Sequence, residues 1–325
     1  MILISKTPLR ISLFGGGTDF PEFFSKKKSI IIGGAIDKFI YIILTKYYSN
    51  LFKHKLKFFY SKLEFVKTNK NITHPVIKEV FIKEKINKNI EMHIASDLPS
   101  HSGLGSSSSF SVGLLNLIKY YKKKKLKPMD LAFEAISLER DKLKECVGFQ
   151  DQIFAALGDF QKIEISKGKK IKIVKYKNKK LISNIQNNLF IVYSGIKRSA
   201  KNIEKKKLSK IKKNLKNLNK INDIAILADK KFQSEKNPDF VGDLLSKTWD
   251  YKKKLDRNVS NPIIDNLYNK CKKYGALGGK LLGAGAGGFI LIYVPKKNQK
   301  KFLKKMKSKV VNFKFFKSGS NIISV

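Results

Sequence analysis

Residues 96–110, SDLPSHSGLGSSSSF, set serines and two glycines between a run that alternates like a strand and a run with helical spacing. Gly103 and Gly105 permit backbone geometry that other residues avoid. Ser106–Ser109 then fall in the first turn of the helix, where free N–H groups and the positive end of the dipole favour phosphate. Hydroxyl groups there add donors to phosphate oxygens or ligands to a metal ion. A flexible Ser/Gly linker fits badly, because apolar periodic segments abut the loop on both sides.

Transfer of a phosphoryl group needs a base and a cation as well. Asp151, in GFQDQIF, lies at a helix start just past Gly148, where the dipole favours an ionised carboxylate able to take a hydroxyl proton. Arg10 sits inside a strand between apolar neighbours, a costly position unless a carboxylate or phosphate pairs with it. Glu139, in SLERD, is a mid-helix carboxylate that by itself reads as a solvated residue. Asp19, after three glycines, suits either substrate hydroxyls or the cap of a helix at FPEFF.

Two other glycine patterns carry less. GAGAGG at 283–288 satisfies G-x-G-x-x-G, but a strand follows it and no acidic residue occurs after Asp265, so a dinucleotide fold is excluded. It remains a crowded turn or a loop whose backbone approaches a ligand. The G-x-x-x-x-G-K-[ST] phosphate loop is missing, since Gly279-Lys280 is followed by Leu281.

The formal charge of +43 invites a nucleic-acid or anionic-membrane reading. Its distribution argues against specific nucleic-acid binding: of 68 basic residues only Arg10, Arg140, Arg198 and Arg257 are arginine, and the lysines are scattered over the chain. Each rare arginine is therefore worth inspecting for a bidentate role. Cys146 and Cys271 form no CxxC, and His54, His74, His93 and His101 have no zinc-finger spacing. No apolar run reaches the about 18 residues that span a bilayer, so the expectation is a cytoplasmic protein with no membrane partner.

The elements that must position these groups follow from periodicity. LRISLF alternates, FIYIILTKYY and NIEMHIASD read as further strands, and the three suggest one sheet. Helical spacing begins at Phe110. A second helix runs from Pro128 through LAFEAISLERDKLKEC to Gly148, and a short third, DQIFAALG, is closed by Gly158. NLFIVYSG reads as a strand, and residues 199–255 as lysine-rich helix. The remainder, PIIDNLYNKCKKYG, GGKLL, FILIYVP, NQKKFLKKMKS and VVNFKFF or SNIISV, suggests a separate α+β unit with a boundary near residue 185.

Taken together, PLRISLFGGGTDF, LPSHSGLGSSSSF, GFQDQIFAALGDF and KLLGAGAGG resemble, in order and spacing, the successive signatures of the GHMP superfamily of small-molecule kinases. The resemblance implies an α/β, two-domain α+β kinase. Its N-terminal domain, 1–185, would be similar to domain 2 of ribosomal protein S5 and carry ATP, Mg²⁺ and the base; its C-terminal domain, 186–325, would be ferredoxin-like. It implies that Ser102, Gly103, Leu104, Gly105, Ser106, Ser107 and Ser108 wrap the ATP phosphates, that Ser107 and Glu139 hold Mg²⁺, and that Asp151 is the catalytic base. Arg10 would stabilise charge beside it.

Galactokinases carry Glu-His before the Thr-Asp of the first signature. Here Gly16-Gly17 precede Thr18-Asp19, which resembles the subgroup that phosphorylates the anomeric hydroxyl of D-glycero-D-manno-heptose 7-phosphate. Gly16, Gly17, Thr18 and Asp19 would bind that sugar, with Gly283, Ala284, Gly285 and Gly287 closing over it. A phosphorylated sugar needs a second anion site, and Lys197, Arg198 and Ser199 stand where a strand passes into a helix. The rival expectations are a GHMP kinase for fucose, a uronic acid or a galactose-like sugar, and a basic nucleic-acid-binding protein. The last explains neither the serine loop nor Asp151.

Overall fold

The computed structural model describes residues 1–196 and 211–325. Two sheets organise it. The first is built on β1 (Ile2–Phe14) and β2 (Ser29–Lys46), an antiparallel pair. β3 (Leu56–Phe59) and β4 (Leu63–Val66) form an outer hairpin, with β3 parallel to β5 (Ile90–Ser96). β2 is long enough to serve two partners: residues 40–46 pair with β5, and residues 29–34 with β6 (Phe160–Ser166), which continues to β7 (Lys170–Lys175). Gly33 lets β1 and β2 approach closely, because a Cβ there would stand 2.4 Å from the Ile11 carbonyl oxygen.

Leu9, Ile11 and Leu13 are fully buried in the core, whereas Arg10 and Ser12, on the opposite face of β1, are also nearly buried and line a cavity. From Thr7 onward the strand thus has no solvent face. The register slips between Pro8 and Arg10, and the Arg10 N–H leaves the ladder to donate to the Leu104 carbonyl at 3.0 Å. That irregularity carries Arg10 to the serine loop.

Among the helices, α1 (Pro21–Phe24), α2 (Pro75–Lys83), α3 (Ser106–Tyr121), α4 (Pro128–Ser137) and α5 (Gln150–Leu157) belong to the first half of the chain. α3 lies on β1 and β2, and its Val112, Leu115 and Ile118 join one core with Leu9, Ile42 and Phe154. The helix expected to run unbroken to Gly148 ends sooner. It passes into a π-helical turn at Leu138–Lys142, and the Glu145 N–H returns to the Glu139 carbonyl. The turn rotates Glu139 inward to full burial.

After α6 (Lys179–Asn187), the second sheet forms in the order β11-β8-β10-β9 from β8 (Leu189–Tyr193), β9 (Gly278–Leu281), β10 (Phe289–Tyr293) and β11 (Val310–Val311). The long helices α7 (Ile211–Ser234) and α8 (Phe240–Lys253) bridge the sheets, α7 against β1 and β2, α8 against β9. α9 (Pro262–Lys273), capped by the Asn261 side chain, and α10 (Lys296–Met306) cover the second sheet through Ile264, Leu267, Phe302 and Met306. Of the two candidate last strands, VV joins this sheet. SNIISV instead crosses back, and β12 (Asn321–Ser324) pairs antiparallel with β1. No helix among the described residues is long and apolar enough to cross a membrane.

Candidate active site

A cavity of about 320 Å³ opens between the sheets, walled by β1, the N-terminus of α3, the end of β9 and helices α7 and α8. Gly105, at φ +75°, starts α3, and no side chain caps the helix, so its first N–H groups are open to a ligand. Gly103, Gly105, Ser106, Ser107 and Ser108 line the cavity. Leu104 and Ser102 do not: Leu104 packs into the core, and the carbonyl of Ser102 accepts the Phe289 N–H at 3.0 Å.

At the floor, Arg10 Nε donates to Asp151 Oδ1 at 2.7 Å and Nη2 to Oδ2 at 2.6 Å, while Nη1 donates to the Gly103 carbonyl at 2.8 Å. One guanidinium therefore ties the carboxylate to the serine loop. Asp151 keeps about a quarter of its side chain exposed toward the cavity.

Asp19 does not cap α1, whose N-cap is Phe20. Its carboxylate accepts the N–H groups of Gly17 and Gln150 and the Gln150 amide, each at 3.1 Å. Burial, then the neighbouring Asp151 charge, pushes it up to about 6. Gly148 is required here, because a Cβ would lie 1.9 Å from Asp19 Oδ2. Gly16, Gly17 and Asp19 line the cavity; Thr18 turns away, its hydroxyl bonded to the Gly15 carbonyl and Ser29 at 2.8 and 2.6 Å. Three further polar atoms at the cavity, Ser12 Oγ, Gln150 Oε1 and Asn214 Nδ2, are buried with no partner among the described residues.

Glu139 is pushed up to about 7 by burial, an effect that hydrogen bonds from Ser111, Gln152 and Ser108 offset in part. Within the serine loop, the hydroxyl that touches it belongs to Ser108, at 3.0 Å, not to Ser107, which is exposed at the cavity. Glu139 Oε1 has no partner among the described residues. Glu139 does not itself line the cavity, but its free oxygen stands behind Ser108, which does, and a carboxylate and serine hydroxyls suit Mg²⁺ when phosphates and water supply the remaining ligands.

From the second sheet, Gly283 meets Gly103 backbone to backbone: a Cβ on Gly283 would lie 2.6 Å from the Gly103 Cα. Gly283 and Ala284 line the cavity. Gly285 and Gly287 do not, packing instead against Val259 and Ile196. Lys197, Arg198 and Ser199 lie outside the described residues.

Several cavity residues carried no mark in the sequence. Asn214 and Leu218 arrive from α7, and Thr248 and Lys252 from α8; Lys280 joins them from β9, marked in the sequence only as the first residue of KLLGAGAGG. Lys252 donates to the carbonyls of Leu281 and Gly283, both at 2.6 Å, fixing the turn after β9. Arg140 bonds the Val147 carbonyl and Glu22, holding the segment that presents Gly148. Its scarcity was the one usable signal.

Comparison with known proteins accords with this arrangement. Residues 71–159 match the GHMP kinases N terminal domain and residues 231–312 the GHMP kinases C terminal domain. A D-glycero-alpha-D-manno-heptose 7-phosphate kinase of Campylobacter jejuni is 30% identical over 333 residues, covering 97% of each chain. A mevalonate kinase of Methanocaldococcus jannaschii is 27% identical over 217 residues, 66% of this chain and 65% of that one. The fold is shared with a solved D-glycero-D-manno-heptose 1-phosphate kinase from Bacteroides thetaiotaomicron, with a TM-score of 0.80, 18% identity and 99% of both chains covered. With both family domains in order and a relative aligned over nearly its whole length, this chain belongs to the GHMP kinase family and is a sugar kinase whose phosphate donor is ATP.

Proposed function

We propose that the protein phosphorylates the anomeric hydroxyl of D-glycero-D-manno-heptose 7-phosphate, giving the 1,7-bisphosphate for nucleotide-activated heptose and surface polysaccharide. The observation that carries the chemistry is the Arg10–Asp151 pair, set between the open end of α3 and buried Asp19. The observation that favours heptose 7-phosphate is the Campylobacter jejuni relative, whose name states that substrate.

In this reading the ATP phosphates lie on the N–H groups and hydroxyls of Ser106–Ser108. The sugar hydroxyls take Asp19, Ser12 Oγ and Gln150 Oε1, the last two of which lack partners. Asp151 accepts the proton of the anomeric hydroxyl as its oxygen attacks the γ-phosphorus; the bond to the β,γ-bridging oxygen breaks and ADP leaves. Both Asp151 oxygens already accept from Arg10, and each retains a lone pair for that proton. Glu139, oriented by Ser108 and Gln152, and Ser107 would hold Mg²⁺, which when bound offsets the negative charge of the phosphates.

Lys197, Arg198 and Ser199 would take the sugar's own phosphate. Supporting this, the chain leaves β8 at the mouth of the glycine loop, where the Gly288 N–H donates to the Ile196 carbonyl at 3.0 Å. On this reading 1–185 would be the catalytic unit and 186–325 the closing unit, with β12 returned to the first sheet.

The test is ATP consumption, with Mg²⁺, against free and phosphorylated heptose, mannose, galactose, fucose and glucuronate. Turnover confined to heptose 7-phosphate is expected. Turnover of a free sugar would leave the kinase and its Asp151 chemistry standing but remove both the assigned substrate and the second anion site.

A further inference from the structure

Among the described residues, Lys280 is a buried cation without a counter-ion. It sits on β9 opposite Leu291 of β10, is 3% exposed, and still lines the cavity. The other lysines held inside the protein are matched: Lys162 by Glu164 and Asp229, each at 2.8 Å, and Lys252 by two carbonyls. Among the described residues Lys280 makes no ion pair and no side-chain hydrogen bond. Burying an unpaired ammonium opposes folding, so its place is explained by an anion that arrives later.

Two facts specify which anion. Lys280 feels the charge of Arg10, yet the Arg10 donors are committed to Asp151 and Gly103. A second cation, close to Arg10, is therefore left without a partner among the described residues. The strand carrying Lys280 then runs through Leu282 to Gly283, whose backbone lies against the Gly103 backbone of the serine loop. Lys280 thus lies where the donor loop and the base converge.

We infer that Lys280 contacts the phosphoryl group in flight between ATP and the sugar, completing with Arg10 a pair of cations around the transfer. This rests on the reading of Asp151 as the base. Burial, then Arg10, lowers the lysine to about 7; an arriving dianion restores the ammonium form. The contact is made only as transfer proceeds, so its loss falls on kcat rather than on KM.

Lys280→Met tests this, measured beside Asp151→Asn for kcat, both KM values and the melting temperature without ligands. The expected result is a kcat at least about 100-fold lower, with both KM values within threefold and a melting temperature equal to or above the parent's, because a buried charge has gone. A lower melting temperature, or a chain that no longer folds, would make Lys280 a structural residue and overturn the inference. So would a kcat within threefold of the parent, or a raised sugar KM with kcat intact, which would move the lysine to the sugar's own phosphate. If Asp151→Asn retains turnover, it is the reading of Asp151 as base that fails; if that variant is inactive and Lys280→Met is not, only Lys280 fails.

Discussion

Arg10 and Asp151 stand 141 residues apart in the chain and face each other through two parallel charge-assisted hydrogen bonds of 2.7 and 2.6 Å. The fork geometry fixes the carboxylate plane and leaves a free lone pair on each oxygen toward the cavity. Asp151→Asn is expected to lower kcat about 1,000-fold while ATP affinity stays within about threefold. Arg10→Lys, which cannot form the fork, is expected to cost about 100-fold. Steady-state kinetics and nucleotide titration decide it: a kcat near the parent's for Asp151→Asn removes the residue from the base role.

Asp19 gives a pH dependence of known sign. Its folded value is about 6, above the ordinary carboxylate value of 3.8, so the carboxylate that receives sugar hydroxyls is lost as pH falls through about 6. The sugar KM is expected to rise below that pH, and the ATP KM to hold. Asp19→Asn should flatten the acid limb. Gly148→Ala, which drives a methyl against Asp19 Oδ2, should raise the sugar KM at least about 10-fold. A sugar KM unchanged from pH 5 to 8 would refute the assignment.

Glu139 governs stability rather than binding in the ligand-free protein. With a folded value of about 7 against 4.5 in the unfolded chain, the native state holds a proton that the unfolded state has released between those pH values. Its contribution is therefore full below about pH 4.5 and lost as pH rises through about 7. Glu139→Gln is expected to be more stable than the parent at pH 8 by roughly 3 kcal/mol, and equal to it near pH 4.5. Denaturant melts at the two pH values test this; a less stable variant at pH 8 would contradict it.

A control lies away from the cavity. Asp229 on α7 accepts Lys162 from β6 at 2.8 Å and the Tyr176 hydroxyl at 2.9 Å, with all three groups buried. Asp229→Ala leaves both donors without it and should cost about 3 kcal/mol, with KM values unaltered in the folded fraction. A changed sugar KM would mean that α7 positions the site through this contact.

Local chemistry made much of the protein legible in its sequence. Gly103 and Gly105 adopt the positive φ that the loop reading required; Asp151 opens α5, Gly158 closes it, and the three early strands share one sheet. Each of these depends on the residue itself and its near neighbours, which a sequence displays directly. The four signature segments added their order.

The tertiary structure decided whatever depends on a distant partner. Glu139 read as a solvated helix residue because nothing local announces a π-helical turn that folds it onto Ser108 and Gln152. SNIISV alternates equally well for either sheet, and β12 goes to β1, where Leu3 and Ser324 come into register. Lys280 opens the KLLGAGAGG segment, but in a chain of charge +43 nothing in that segment gave it a role; burial beside Arg10, with no acid paired to it among the described residues, does. The physical reason is common to all three: burial and pairing are properties of the space between segments, and sequence spacing encodes only the geometry within one.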